Sequence, residues 1–424
     1  MRYRIAAAAL LASPIVAAHP ACAADKPFGS PVTVGDGLTF DPMLDARLRY
    51  EHVETPDTPA TADADALTIR LRAGFELKHA PSHLSFLAEA EGTLGIANDY
   101  NAFPYAIVDS QRRPGFDVVA DPQNVELNRL QLQYRTKAFG LTVGRQRINL
   151  DDQRWVGSVG WRQNEQTFDA VRAEATLGPV SLDGTYAISQ RTIFGVDGGP
   201  RTAFDGDFAF LGAGVKAGPV MVKAFAYLSD YDAKEQGGTL VTTMPDSQTY
   251  GVRATAALPL GKDAKLNLAA SYARQMDWQD NPADYSADYI AAEAGLAYRG
   301  FTLTGGYELL GSDNNRAVQT PMATLHKFNG WADAFLVTPA TGLQDIYGGA
   351  AIKLPMVKAL PGLNAAVVYH DFRSDVGSVK FGAEWDASLG FKLHKVGLLA
   401  KYASYNPVVG PTLGKFWLQA EVAF

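Results

Sequence analysis

Seven arginines stand out in the first half of the chain: Arg47, Arg49, Arg70, Arg72, Arg129, Arg135 and Arg172. They share one phase of an alternating apolar pattern. A guanidinium stays ionised and presents a planar fork of donors, so a row of them forms a surface for carboxylates and other oxyanions. In the last third the same phase carries Glu293, Glu308, Asp345, Glu384, Asp386 and Glu421, with Lys353, Lys401 and Lys415. A basic arc opposite an acidic one sets up a field across the space between them, and ladders of like charge set selectivity in wide pores. The chemistry expected is passage of an anionic, carboxylate-bearing solute. Taken singly, each arginine also fits a plainer role, solvating a polar wall through cross-strand pairs such as Arg72 with Glu89.

Patterns for covalent or metal chemistry are missing. His79 and His83 have H-x-x-x-H spacing, but Pro81 between them puts the pair in a turn and not on a helix. There is no G-x-S-x-G, Walker or G-x-G-x-x-G run. His52 and His370-Asp371 fall where rim polar residues are expected. Asp151, Asp152 and Asp169 supply the oxygens that a calcium ion in the outer loop would take, a minor alternative. The expectation is a protein that is not an enzyme and carries no cofactor or metal.

The elements that must position these charges are β-strands. In Leu67–Lys78, Leu67, Ile69, Leu71, Ala73, Phe75 and Leu77 take one face, and Thr68, Arg70, Arg72, Glu76 and Lys78 take the other. Val379–His394 repeats the pattern, as does Leu413–Phe424 at the chain's end. About eighteen such segments follow one another, separated by connections that alternate long and short. That parity predicts an all-β, transmembrane antiparallel β-barrel with long outer loops and short periplasmic turns. A soluble sandwich has no reason to keep it. The 424 residues carry a net charge of −7, which argues against a nucleic-acid partner. No run of 18 apolar residues occurs, so helical spans are excluded. A mean hydropathy of −0.08 suits strands of which only one face meets lipid. Residues 24–424 read as one barrel domain. Residues 1–23 read as a cleaved signal peptide, with basic Arg2 and Arg4, an apolar stretch Ile5–Ala18 and the small-residue site Ala21-Cys22-Ala23. The closing strand is expected to pair with the first near Leu48.

The alternation breaks in Gly140–Arg172, GLTVGRQRINLDDQRWVGSVGWRQNEQTFDAVR. Arg145 and Arg147 fall in phase with the lipid-facing Leu141 and Val143, so a bulge at Gly144 or the membrane edge is expected to restore the phase. Asp151, Asp152, Arg154, Trp155, Trp161, Arg162 and Asn164 then fill an outer loop whose composition is that of a packed element. The loop is expected to fold into the mouth as a constriction. This stretch resembles the signature of the alginate-export family of outer-membrane barrels. The resemblance rests on Gly144-Arg145-Gln146, Asp152-Gln153-Arg154, Gly157, Trp161, Asn164, Phe168-Asp169-Ala170 and Arg172. It implies an eighteen-stranded barrel with an arginine-rich lumen that passes an acidic polysaccharide such as alginate through an electropositive constriction. It also implies that outer-membrane assembly machinery reads the terminal aromatic, Phe424.

The function expected is therefore a passive channel in the outer membrane of a Gram-negative bacterium, for hydrophilic, anionic solutes such as acidic polysaccharide or uronate oligomers. A general or sugar or small-anion uptake porin is the alternative. A barrel enzyme and a filled structural barrel rank below both. One expectation is directly checkable: N-terminal sequencing of the protein recovered from outer membranes gives a start near Ala24, and a chain that retains residues 1–23 contradicts it.

Overall fold

The computed structural model describes residues 31–55, 61–232 and 246–423. The signal-peptide expectation for residues 1–23, and Phe424, lie outside the described residues. One sheet contains nineteen strands. The first, Val32–Gly35, is a short ribbon folded back on the start of the next strand. The other eighteen form the barrel wall. In chain order they are β1 (Leu38–Glu54), β2 (Ala64–His79), β3 (Leu84–Asp99), β4 (Asn124–Arg135), β5 (Phe139–Gln146), β6 (Thr167–Leu177), β7 (Val180–Arg191), β8 (Ala203–Ala217) and β9 (Val220–Tyr231). They continue with β10 (Ser247–Pro259), β11 (Ala264–Asp277), β12 (Ser286–Tyr298), β13 (Phe301–Leu310), β14 (Leu343–Lys353), β15 (Asn364–Arg373), β16 (Lys380–Leu393), β17 (Val396–Pro407) and β18 (Leu413–Ala423).

Every strand pairs antiparallel with its sequence neighbours, and β1 pairs with β18, so no edge is left open. The closing register places Leu48 opposite Ala420, where the alternation predicted it. The wall is inside-out relative to a soluble protein. On β2, Ile69 and Leu71 are 39% and 47% exposed, while Arg70 between them is 0% exposed. Lipid satisfies the apolar face, and the polar face turns to the lumen. Exposed Tyr186, Tyr250, Tyr272, Tyr298, Phe301 and Tyr402 form the aromatic girdles. Near the long-loop rim one geometry recurs: Tyr50, Tyr186 and Tyr272 donate to Asp65, Asp207 and Asp288 on the following strand.

The connections keep their parity. At one end they are 80–83, 136–138, 178–179, 218–219, 260–263, 299–300 and 394–395, with one longer member, 354–363. The other end carries 100–123, 147–166 and 311–342. Register shifts at Leu67/Thr68, Glu89/Ala90 and Asp169/Ala170 lie toward the long-loop end. The second turns Asn128 inward beside Arg129, so both reach Glu89.

The expected bulge at Gly144 is absent. The β5–β6 ladder runs unbroken from Phe139↔Ala175 to Gln146↔Phe168. Arg145 therefore stays on the outward face, opposite the lipid-exposed Leu130, and forms a two-point ion pair at 2.8 Å with Asp169 across the ladder. This corrects the expectation that Arg145 and Asp169 belong to the constriction. Gly144 is needed for a different reason. Its φ is +114°, and a Cβ there would lie 2.3 Å from the Leu130 carbonyl oxygen. Gly144→Ala is expected to destabilise the barrel by about 1–3 kcal/mol, read as a lower urea midpoint for loss of the folded band in detergent. An unchanged midpoint would show that the ladder can relax at this position.

Candidate functional site

Two long connections fold back into the barrel and fill part of its lumen. Loop 147–166 lies against the inner wall of β1–β4. Arg47 donates through Nη1 to the carbonyls of Gly160, Trp161 and Arg162 at 3.0, 3.1 and 3.2 Å. Gln163 donates to the Thr68 hydroxyl at 2.8 Å, and the Thr93 hydroxyl donates to Asn164 at 2.8 Å. The Glu165 N–H donates to the Glu91 carboxylate at 3.0 Å. The other arm of the loop reaches across the lumen. Arg154 donates to Glu308 on β13 at 2.8 Å, and to Thr320 and Asn329 of loop 311–342 at 3.0 Å each. Asp151 and Asp152 meet Lys223 on β9 at 3.0 Å and Arg253 on β10 at 2.8 Å.

Loop 311–342 descends from the opposite side. The N–H groups of Trp331 and Ala332 donate to Asp386 and Glu384 on β16 at 3.2 and 2.7 Å. The two loops are tied together by Arg162, which meets Glu51 of β1 and Asp333 of loop 311–342, both at 3.1 Å. Beside this pair sits an aromatic and cationic knot. Trp161 stacks on His326 at a centroid distance of 4.4 Å and an angle of 4°. The Arg49 guanidinium lies 4.1 Å from the Trp161 ring, and the Lys401 ammonium lies 4.1 Å from Trp161 and 3.8 Å from Trp331.

The tautomer of His326 follows from its neighbours. A lysine ammonium has donors only and a carboxylate acceptors only. Lys401 Nζ is 2.7 Å from Nε2 and Asp333 Oδ1 is 2.9 Å from Nδ1. Nε2 therefore accepts and Nδ1–H donates, and the ring is neutral. Burial holds the His326 pKa well below the usual histidine range, outweighing the pull of Asp333. Asp333 is held below the usual carboxylate range: burial pushes it up, but His326, Lys415 and Arg162 together pull it further down.

The arginines of the basic arc line the lumen, but they do not form the expected bare ladder. Arg47 and Arg70 share Glu421, at 3.0 and 3.3 Å, and Arg70 also meets Asp45. Arg49 donates to Gln419 at 2.6 Å and lies 3.7 Å from Asp121. Arg72 meets Glu91, and Glu165 at 3.1 Å. These four are sealed beneath loop 147–166, with exposures of 5% or less. Arg129 makes two bonds to Glu89 at 2.8 and 2.7 Å. Nearer the short-turn end, Arg135 meets Glu174 at 2.5 Å, and Arg172 meets Asp183 and, at 3.1 Å, Glu174. Water leaves the arc when the loop docks, and a buried charge without a partner is not tolerated.

The structure thus brings Asp152, Arg154, Trp161 and Asn164 together in the lumen and places Arg145 and Asp169 outside it. The sequence marks 311–342 as a long outer connection but does not reveal the part played in the lumen by its His326, Lys327, Asn329, Trp331 and Asp333. Its signal was present: Met322, Leu325, Phe328 and Trp331 are too apolar for a solvated loop. Between the two loops and the wall of β10–β17 a cavity of about 360 Å³ remains, lined by Arg253, Glu293, Lys327, Phe328 and Tyr347 among others. Carboxylates, cations and aromatic faces there suit a polar, hydroxylated solute.

Comparison with known proteins adds three findings. The family model for alginate export matches residues 41–304. No curated protein matches the sequence. Solved structures match over 91% of this chain and 98% of theirs. They include OpdL of Pseudomonas aeruginosa (15% identity, TM-score 0.66), OccAB4 of Acinetobacter baumannii (12%, 0.69) and OpdK of Pseudomonas aeruginosa with vanillate (11%, 0.69). At these identities the likeness is one of fold.

Docking of loop 311–342 depends on a neutral His326. A released loop lets the ring titrate near its ordinary value of about 6.5, so below that pH the released form binds the extra proton and docking weakens. Single-channel conductance is expected to rise as the pH falls from about 8 to about 5, and His326→Gln to remove that rise. A wild-type conductance flat over this interval would contradict the assignment.

Proposed function

The chain belongs to the alginate-export family of outer-membrane β-barrels, and from that footing we propose that it is a narrow porin for hydrophilic, anionic solutes, with acidic polysaccharide or uronate oligomers as the leading class. The observation that carries this reading is the division of the lumen. Loop 147–166 occupies the half beside β1–β6, while the cavity beside β10–β17 stays open between two docked loops. Solute moves down its gradient along that open side and, past loop 147–166, through the lumen that the β4 and β6 wall also faces.

Charge supports the anionic preference. Arg129 and Arg172 project beyond the sealed set, at side-chain exposures of 15% and 17%. With Arg135 they offer guanidiniums that an incoming carboxylate can share with the resident acids. The four sealed arginines, Arg47, Arg49, Arg70 and Arg72, act at one remove by holding the constriction in place. Vanillate, named with the OpdK structure, is itself a carboxylate. The small size of the cavity favours a second reading, uptake of a small carboxylate instead of a polymer. In both readings the protein carries no catalytic role and needs no cofactor. Its partners are the solute, outer-membrane lipid and the barrel-assembly machinery that reads Phe424 after residues 1–23 are removed.

The test is reversal potential across a planar bilayer with a salt gradient. Anion preference is expected in the wild type and is expected to fall severalfold when Arg129 and Arg172 are both changed to alanine, because Glu89 and Asp183 are then left exposed to the path. An unchanged reversal potential in the double variant would remove these arginines from selectivity. Block of the current by uronate oligomers, compared with vanillate, separates polymer from small carboxylate.

A further inference from the structure

The outward face of the wall carries charge near its long-loop rim, and the balance of that charge differs from place to place. Arg145 holds Asp169 at 2.8 Å, and Arg274 holds Asp288 at 2.9 Å, one cation to one acid. On the β15–β16 pair two cations share one acid. Arg373 donates to one oxygen of Asp371 at 2.8 Å, and Lys380 meets the other at 2.7 Å. Arg373 and Lys380 stand opposite each other in the ladder. Both side chains are 44% exposed, against 17% for Asp371. Their direction follows from the pleat: Phe372 is buried in the interior, so Asp371 and Arg373 on either side of it point outward. This spot carries an excess of positive charge, turned to the membrane and not to the solute path.

Beneath the cations lies an aromatic ridge. Tyr369 of β15 and Trp385 of β16 are ladder partners with ring centroids 4.9 Å apart, and Trp385 is 53% exposed. Tyr369 precedes Arg373 by four residues, so the ridge sits ~13 Å closer to the middle of the bilayer than the cations. Amphipathic rings favour the depth of the lipid head groups. Beside the ridge the wall is low. On β14 the outward positions next to Tyr369 and Val367 are Gly348 and Ala350. From the bilayer toward the rim the order is therefore a shallow apolar furrow, an aromatic ridge and a pair of cations. An amphiphile with acyl chains, a sugar backbone and a phosphate has the same order.

We infer that the outer face of β15–β16 seats a phosphorylated glycolipid of the outer leaflet, with a sugar phosphate on Arg373 and Lys380 and acyl chains along Gly348 and Ala350 beside the Tyr369–Trp385 ridge. The inference concerns the lipid side of the wall and does not depend on which solute the lumen passes. The long-loop end faces the outer leaflet, whose glycolipids carry phosphates on a sugar backbone. A phosphate monoester bears about −1.5 to −2 charges and three strong acceptor oxygens. It can engage both cations at once, where Asp371 offers each a single oxygen. Arg373 supplies a fork that fits two phosphate oxygens, and Lys380 a mobile point charge that follows the head group. Asp371 keeps the two cations together while no lipid is bound. Charge complementarity of this kind is how basic clusters at a membrane surface select anionic head groups.

The experiment is binding of purified bisphosphorylated lipid A to the folded barrel in detergent, read by native mass spectrometry as the lipid-bound fraction. The wild type is expected to bind lipid A about tenfold more tightly than the same glycolipid stripped of its phosphates, and more tightly than phosphatidylglycerol. Arg373→Gln with Lys380→Gln is expected to lose about tenfold in affinity for lipid A. Trp385→Ala is expected to lose severalfold. Arg274→Gln, which removes an outward cation elsewhere on the rim, is expected to keep wild-type binding. Equal affinity of the wild type for phosphorylated and stripped glycolipid overturns the site, and this comparison holds even if the double variant fails to fold. Undiminished binding by a folded double variant overturns it as well. Phosphatidylglycerol bound as tightly as lipid A overturns the glycolipid assignment in favour of anionic lipid at large. Displacement of lipid A by inorganic phosphate at equal concentration overturns it in favour of free phosphate.

Discussion

The interior of this barrel depends on one requirement: a charge removed from water must meet an opposite charge. Arg162 shows it most plainly. Buried on loop 147–166, it touches Glu51 of the wall and Asp333 of the second loop. Burial works against its ionisation, and Glu51, Asp121 and Asp333 more than restore it, so its pKa is raised. Removing one member of such a set leaves uncompensated charge, at about 3–5 kcal/mol. The basic arc is therefore best understood as a socket. Its arginines fix where the constriction sits, and the position of the constriction decides which half of the lumen stays open.

Much of this architecture is visible in the residue order. Alternation in segments such as Leu67–Lys78 is forced by the pleat and by lipid on one side. The pairing of Leu48 with Ala420 follows from counting strands. The odd composition of 147–166 marks it as a packed element. Arg145 is instructive because its phase was informative as it stood. The alternation never failed at Gly144; the strand carries a charged pair on its outer face. What the sequence did not disclose is partner choice across the lumen. His326, Asp333 and Lys401 come from a loop and a distant strand with no shared period. Nothing local distinguishes Glu91 from Glu89 as the partner of Arg72 either; the β2–β3 register, which sets Arg72 opposite Glu91 and Gly74 opposite Glu89, decides that.

The two halves of the wall also do different work. From β1 to β7 the inward face is crowded with arginines and acids that neutralise one another. From β8 to β17 charges such as Lys223, Arg253, Glu293, Glu308 and Asp345 stand among small side chains, Gly212, Ala269, Ala291 and Thr304. Small side chains leave room, and room is what a solute path needs.

The closing seam has a consequence for the order of assembly. The constriction is held by groups from the first and the last strands together: Arg47 bonds Glu421 across a separation of 374 residues, and Lys415 lies 3.5 Å from Asp333. Until β18 lies beside β1, the socket for loop 147–166 is missing its final strand and loop 311–342 lacks one of its cations. Contacts of such long range form late. The pairing of β18 with β1 thus completes the seat on which the constriction rests, so a half-built wall stays unplugged.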